Sequence, residues 1–171
     1  MKKKVIFLDI DGVLNTNSDR KISNDKLKLL SELVSKTGAD VILSSSWRYG
    51  WNKPELNQPG TRIYNLKQLL KDNDIVIKDT IGLDLTKSIQ IKNYLSTNVI
   101  NNYIVLDDEP IDSANLVQTD GDVGLTQSDC QKAAHLLKDQ IHPIGLVPLE
   151  TFNLFYLFYI PLKYTNSIRK I

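Results

Sequence analysis

The run Val5-Ile6-Phe7-Leu8-Asp9-Ile10-Asp11-Gly12-Val13-Leu14 constrains the fold more than any other stretch of the chain. Val5 to Leu8 are apolar without alternation, as in a strand buried on both faces of a parallel sheet. The strand runs into two carboxylates two positions apart and then a glycine. Along a strand, residues i and i+2 point the same way, so Asp9 and Asp11 are expected to face one spot. In open parallel sheets the ligand crevice lies outside the carboxyl ends of the strands. Two like charges there are unfavourable unless a cation joins them. A hard divalent ion such as Mg2+, which prefers carboxylate oxygens, is the obvious choice.

The rest of the chain alternates apolar runs with amphipathic ones, the pattern of an α/β layered domain. Ser23 or Asn24 is placed to cap a helix through about Lys36, with Leu27, Leu30, Leu33 and Val34 on one face and Thr37-Gly38 as its stop. Val41-Ile42-Leu43 reads as a second buried strand. Tyr49 to Thr61, with its prolines and glycines, reads as a loop. A helix is expected over Ile63 to Lys71, a short strand at Ile75-Val76-Ile77 and a helix over Thr86 to Leu95. Tyr103 to Leu106 is a buried strand ending in Asp107-Asp108-Glu109, and Leu116-Val117 a short last one. Thr126 opens a final helix, with Asp129 in its first turn, through Lys138.

With 171 residues the chain can bury a substantial single core. A net charge of +1 gives no bulk attraction to nucleic acid or anionic lipid, so any polyanion must be met by a local patch. The lone cysteine, Cys130, excludes an internal disulfide and suits a reducing compartment. It reads as an ordinary helix position, and His135 and His142 lack metal-ligand spacing. Asp9 and Asp11 interrupt the first apolar run too early for a signal peptide, and no apolar stretch reaches the ~20 residues of a membrane span. The expected location is cytoplasmic. A domain over residues 1–145 is expected, followed by an aromatic-rich extension over 146–171. The stretch Phe152 to Ile160, with Lys163, Arg169 and Lys170 behind it, is read as a packing element or a membrane-surface or protein contact.

Four elements recur in chain order at strand ends or helix starts: Asp9-x-Asp11, Ser44, Lys87, and Asp107-Asp108 with Asp112. In this order the chain resembles the haloacid dehalogenase (HAD) superfamily of phosphohydrolases. Its first motif is similar to Asp9-Ile10-Asp11-Gly12-Val13, its second to Ser44 behind a strand, its third to Lys87, and its fourth to Asp107 through Asp112. Leu43 to Arg48, Ile89 to Leu95, Val105 to Asp108 and Gly124-Leu125-Thr126 resemble, within that superfamily, the HAD domain of Swiss Army Knife RNA repair proteins.

The resemblance implies a three-layer Rossmann-like fold with a central, mainly parallel sheet. It also implies roles. Asp9 is the expected nucleophile, forming an aspartyl-phosphate, and Asp11 the acid and then base. Mg2+ is expected on Asp9, the backbone carbonyl of Asp11 and Asp108, with Asp112 supporting it. Ser44 is expected to donate to a phosphoryl oxygen, and Lys87 to offset negative charge. Ser45, Trp47 and Arg48 are expected substrate contacts. Arg48 would fork onto a phosphate and Trp47 would stack on a base; the plainer readings are a surface ion pair and a core ring.

The short spacings before the first helix and between Ser44 and Lys87 imply little or no cap and an open site. That suits a phosphate on a nucleic-acid end, a nucleotide or another large substrate. The leading expectation is a Mg2+-dependent phosphomonoesterase. The alternative is a catalytically weak HAD-fold module that binds a partner or membrane surface through its C-terminal segment.

Overall fold

The computed structural model describes residues 3–83 and 85–138. The aromatic segment, His142 and the boundary near residue 145 lie outside the described residues. Five strands form one parallel sheet: β1 (Lys4–Leu8), β2 (Asp40–Leu43), β3 (Ile77–Thr80), β4 (Asn102–Asp107) and β5 (Leu116–Gln118). Their order is β3-β2-β1-β4-β5, so β1 is central, with Leu8 opposite Leu43 on one side and Leu106 on the other. The chain builds outward from β1 through β2 to β3, then returns across the sheet to β4. The order therefore reverses between β1 and β4, and their carboxyl ends frame the crevice where α/β sheets bind ligands. Both carry the acids.

Helices α1 (Asn24–Thr37), α3 (Arg62–Asp72) and α5 (Gln127–Leu136) pack into the same core cluster as Ile6, Leu8, Val41, Leu43, Ile104 and Leu106. The alternate residues Val5, Phe7, Ile42 and Val105 share a second cluster with Ile91 of α4 (Lys87–Thr97). Covering both faces of β1 explains why Val5 to Leu8 are all apolar and fully buried. Together these layers are the α/β Rossmann-like architecture expected, with every strand pairing parallel. The connection from β2 to α3 holds a single helical turn, α2 (Arg48–Trp51), and a 3-10 turn at Pro54–Leu56. Among the described residues no helix is long and apolar enough to cross a membrane.

Local chemistry sets the element ends. Gly38 stops α1 in the left-handed region, at φ 64°, and returns its N–H to Val34. Thr126 and Asp129 form a reciprocal capping box on α5; the helix closes at Leu136, short of Lys138. The third strand departs from expectation. Asp74 adopts φ 56° and donates to Lys71 O, while Ile75 donates to Leu70 O. These two bonds are a Schellman closure of α3. Ile75 is thus buried as the apolar plug of a helix end rather than paired in a sheet, and β3 begins only at Ile77.

Candidate active site

β1 ends at Leu8, but the backbone of Asp9 still pairs with β4, donating to Leu106 O at 2.9 Å. The chain then turns, with Leu14 N donating to Ile10 O. Asp11 therefore sits in a turn rather than on the strand, and the alternation argument for Asp9 and Asp11 does not apply. Gly12 makes the turn possible twice over. Its φ of +70° disfavours any side chain, and a Cβ there would lie 2.3 Å from the Asp108 carboxyl group. Thr119 at the end of β5 anchors the turn by donating to Gly12 O at 2.8 Å.

Lys87 is the first residue of α4, which delivers its side chain from the second face of the sheet. Its ammonium lies 3.0 Å from Asp9 Oδ1 and 2.7 Å from Asp107 Oδ2, bridging the ends of β1 and β4. Asp107 is fully buried, and its other oxygen accepts from Glu109 N. Burial first, then the charge of Asp9, pushes the Asp107 carboxyl up to about 6 against the pull of Lys87. Burial also raises Asp9, opposed by Lys87 and by the nearby Ser45 hydroxyl, with the Asp11 charge adding to the rise. Burial disfavours the Lys87 ammonium, but Asp9 and Asp107 outweigh it and hold its pKa above the ordinary lysine value.

Asp9, Asp107 and Asp108 each offer a carboxylate oxygen, and these atoms lie within 4.8 Å of one another. One lysine does not neutralise three acids. An all-oxygen donor set of this compactness fits a hard divalent cation. The Asp108 carboxylate packs against Gly12 and Gly121, where a Cβ at either position would collide with it.

The structure redirects four expectations. Asp112 is not drawn into the cluster; its side chain is 85% exposed and pairs with Lys92 at 2.7 Å. Ser44 Oγ is buried with no hydrogen-bond partner, whereas Ser45 Oγ accepts from Trp47 N and lies close enough to Asp9 to lower its pKa. Arg48 does not reach out for phosphate. It is buried and donates to Gly82 O, Ser44 O and Ser45 O, each at 2.9 Å, stitching the loop after β2 to the loop before α4. Trp47 is not an open stacking surface, because it is buried and its ring carries the Arg62 guanidinium 3.5 Å from the centroid. Its indole N–H donates to Asp11 Oδ2 at 2.9 Å.

Two contributors escape sequence reasoning. Asn15 accepts from Gly12 N and donates to Asp11 Oδ1 at 2.8 Å. Its position three residues past the glycine was the only available signal. Arg62 pairs with Asp11 from 51 positions away, at the start of a helix, and nothing local marks it.

The structure brings Asp9, Lys87 and the Asp107-Asp108 pair together at the β1 and β4 ends, joined by the helix-borne lysine. The family model described as the HAD domain in Swiss Army Knife RNA repair proteins matches residues 5–130. The chain belongs to this family. The matched span runs from β1 into α5 and contains every residue of the site described above. No curated protein matches the chain. As a HAD domain the chain is of the phosphohydrolase type, and its acidic cluster lies at the switch point where that chemistry needs it.

Proposed function

We propose that this HAD domain is a Mg2+-dependent phosphomonoesterase acting through an aspartyl-phosphate on Asp9, with nucleic-acid ends or nucleotides as its substrate class. The observation that carries this reading is the Asp9–Lys87–Asp107 bridge beside Asp108, because phosphoryl transfer depends mainly on positioning and charge compensation. Asp9, Asp108 and the backbone carbonyl of Asp11 would hold the ion, with Asp107 behind them. When bound, Mg2+ supplies positive charge against the transferring phosphoryl group.

In this reading an Asp9 oxygen attacks phosphorus, and the bond from phosphorus to the leaving oxygen breaks. Asp11 gives that oxygen its proton. Water then attacks the aspartyl-phosphate, losing its proton to Asp11, and inorganic phosphate leaves with Asp9 restored. Lys87 holds Asp9 in place and offsets the charge that collects there. Ser45, which lies near the nucleophile, would share the hydroxyl role expected of Ser44.

Release of phosphate from an aryl phosphate and from oligonucleotides phosphorylated at the 3′ or 5′ end tests the reading. Turnover that needs Mg2+ and disappears in Asp9→Asn is expected. No Mg2+-dependent turnover on any substrate, with Asp9→Asn indistinguishable from the parent, would eliminate it.

A further inference from the structure

Both carboxylate oxygens of Asp11 accept hydrogen bonds. Asn15 Nδ2 donates to Oδ1 at 2.8 Å and Trp47 Nε1 to Oδ2 at 2.9 Å. One terminal nitrogen of Arg62 reaches both oxygens, at 3.2 and 3.4 Å. These three donors crowd the Asp11 carboxylate, whose side chain is 34% exposed, and leave little of it to meet a leaving oxygen. Withdrawal of one donor would open Asp11 to that oxygen. Trp47 and Asn15 are 6% and 1% exposed and are locked by their surroundings. The Arg62 side chain is 57% exposed. Its contacts are also long beside the ~2.7–2.9 Å of strong charge-assisted bonds. Arg62 is therefore the donor that leaves.

What Arg62 would move to is legible in its setting. It lies over the Trp47 ring and lines a cavity of about 240 Å3 with Ser46, Trp47 and Thr61. Five residues on, Lys67 sits over Trp51 at 4.6 Å, and both line a second cavity of about 360 Å3 with Lys71. Two cation–aromatic pairs thus follow one another along α2 and α3. Among the described residues Arg62 makes no ion pair with Asp9, Asp107 or Asp108. Its partner is Asp11, the residue that faces the leaving oxygen in the phosphomonoesterase reading, so the anion it takes is assigned to the leaving-group side.

We propose that Arg62 is an anion-binding residue on the leaving-group side, which exchanges Asp11 for a second phosphate carried by the substrate. The inference rests on the phosphomonoesterase reading. Arg62 meets Asp11 through one terminal nitrogen only, so the rest of its planar donor fork is available to the oxygens of a phosphate. The exchange makes the substrate unmask Asp11, so a leaving group without a second phosphate leaves Asp11 covered. The second phosphate has two sources: a small bisphosphate, or the phosphodiester next to a terminal phosphate on an oligonucleotide.

The test compares kcat/KM for a nucleoside monophosphate, the matching nucleoside bisphosphate and a terminally phosphorylated trinucleotide. In the parent the second and third exceed the first by about tenfold or more, the scale of one charge-assisted hydrogen bond. Arg62→Ala brings both ratios close to unity, and Arg62→Lys restores part of them, because charge returns without the planar group. Lys67→Ala selectively lowers the trinucleotide if the chain end is the source and leaves the two small substrates in their parental ratio if the bisphosphate is. Parental ratios retained in Arg62→Ala, or a parent indifferent to the second phosphate while hydrolysing all three substrates, overturn the inference and leave the phosphomonoesterase reading standing. A parent that hydrolyses nothing, matching Asp9→Asn, overturns both.

Discussion

Gly12 and Gly38 form a matched pair that separates backbone strain from site geometry. Both are left-handed, at φ +70° and +64°. A Cβ at Gly38 meets nothing within 4 Å, whereas at Gly12 it falls 2.3 Å from Asp108 Cγ and Oδ2. An alanine in the left-handed region costs about 1–2 kcal/mol, so Gly38→Ala should lower Tm by about 2–8 °C at the ~2–4 °C per kcal/mol of a domain this size. Gly12→Ala carries the same strain and must also displace the Asp108 carboxylate by about 1 Å to reach ordinary contact. A ligand displaced that far no longer meets the near-ideal octahedral distances Mg2+ demands. In the parent, Mg2+ at a hundredfold excess over its Kd should add about 2.7 kcal/mol. Thermal and urea unfolding, with Mg2+ or with EDTA, read both quantities. Gly38→Ala should keep the Mg2+ increment, and Gly12→Ala should lose it along with more stability. Equal losses in the two variants, both with the parental Mg2+ increment, would refute the assignment of Asp108 as a metal-holding residue packed on Gly12.

Further outcomes follow from individual contacts. Because burial raises the Asp107 carboxyl to about 6, with Asp9 shifted the same way, their protonated forms stabilise the metal-free fold below pH ~4. That contribution is lost as pH rises through about 6, so the urea midpoint in EDTA should fall across this window, and Asp107→Asn should flatten the fall; a parent whose midpoint rises there contradicts the assignment. Arg48→Lys cannot serve three backbone carbonyls with the same planar geometry and should lose about 2–4 kcal/mol in urea unfolding; a variant of parental stability with a raised KM would return Arg48 to substrate binding. Asp74→Gly relieves a left-handed aspartate in the Schellman closure and should stabilise by roughly 0.5–1 kcal/mol, read as a higher Tm.

How much was legible in the sequence follows from how local each feature is. β1, its buried neighbours and the acids behind them are written in continuous apolar runs that stop at carboxylates, so the sheet centre and the Asp9 and Asp107-Asp108 positions could be read directly. Lys87 could be placed by the order of the four motifs, because a lysine at a helix start has no local mark of its own. Ile75-Val76-Ile77 has strand composition, yet Ile75 is taken by the end of α3, a competition that composition does not express. Arg48 and Trp47 look like substrate contacts because they are chemically versatile. Their donors are instead turned inward, to carbonyls and to Asp11, which only the folded path of the loop reveals. Asp112 continues the acidic spacing past β4, but the chain there runs outward to Lys92. Arg62 lies in a segment with no motif, so its pairing with Asp11 is a purely tertiary fact.

The central claim is that Asp9 accepts the phosphoryl group. Acid quenching during turnover, reduction of any acyl phosphate with borohydride and peptide mass spectrometry would locate it. The account predicts homoserine at position 9 in the parent and no such product in Asp9→Asn. Turnover with no covalent adduct at position 9, or with the adduct on another residue, would contradict it.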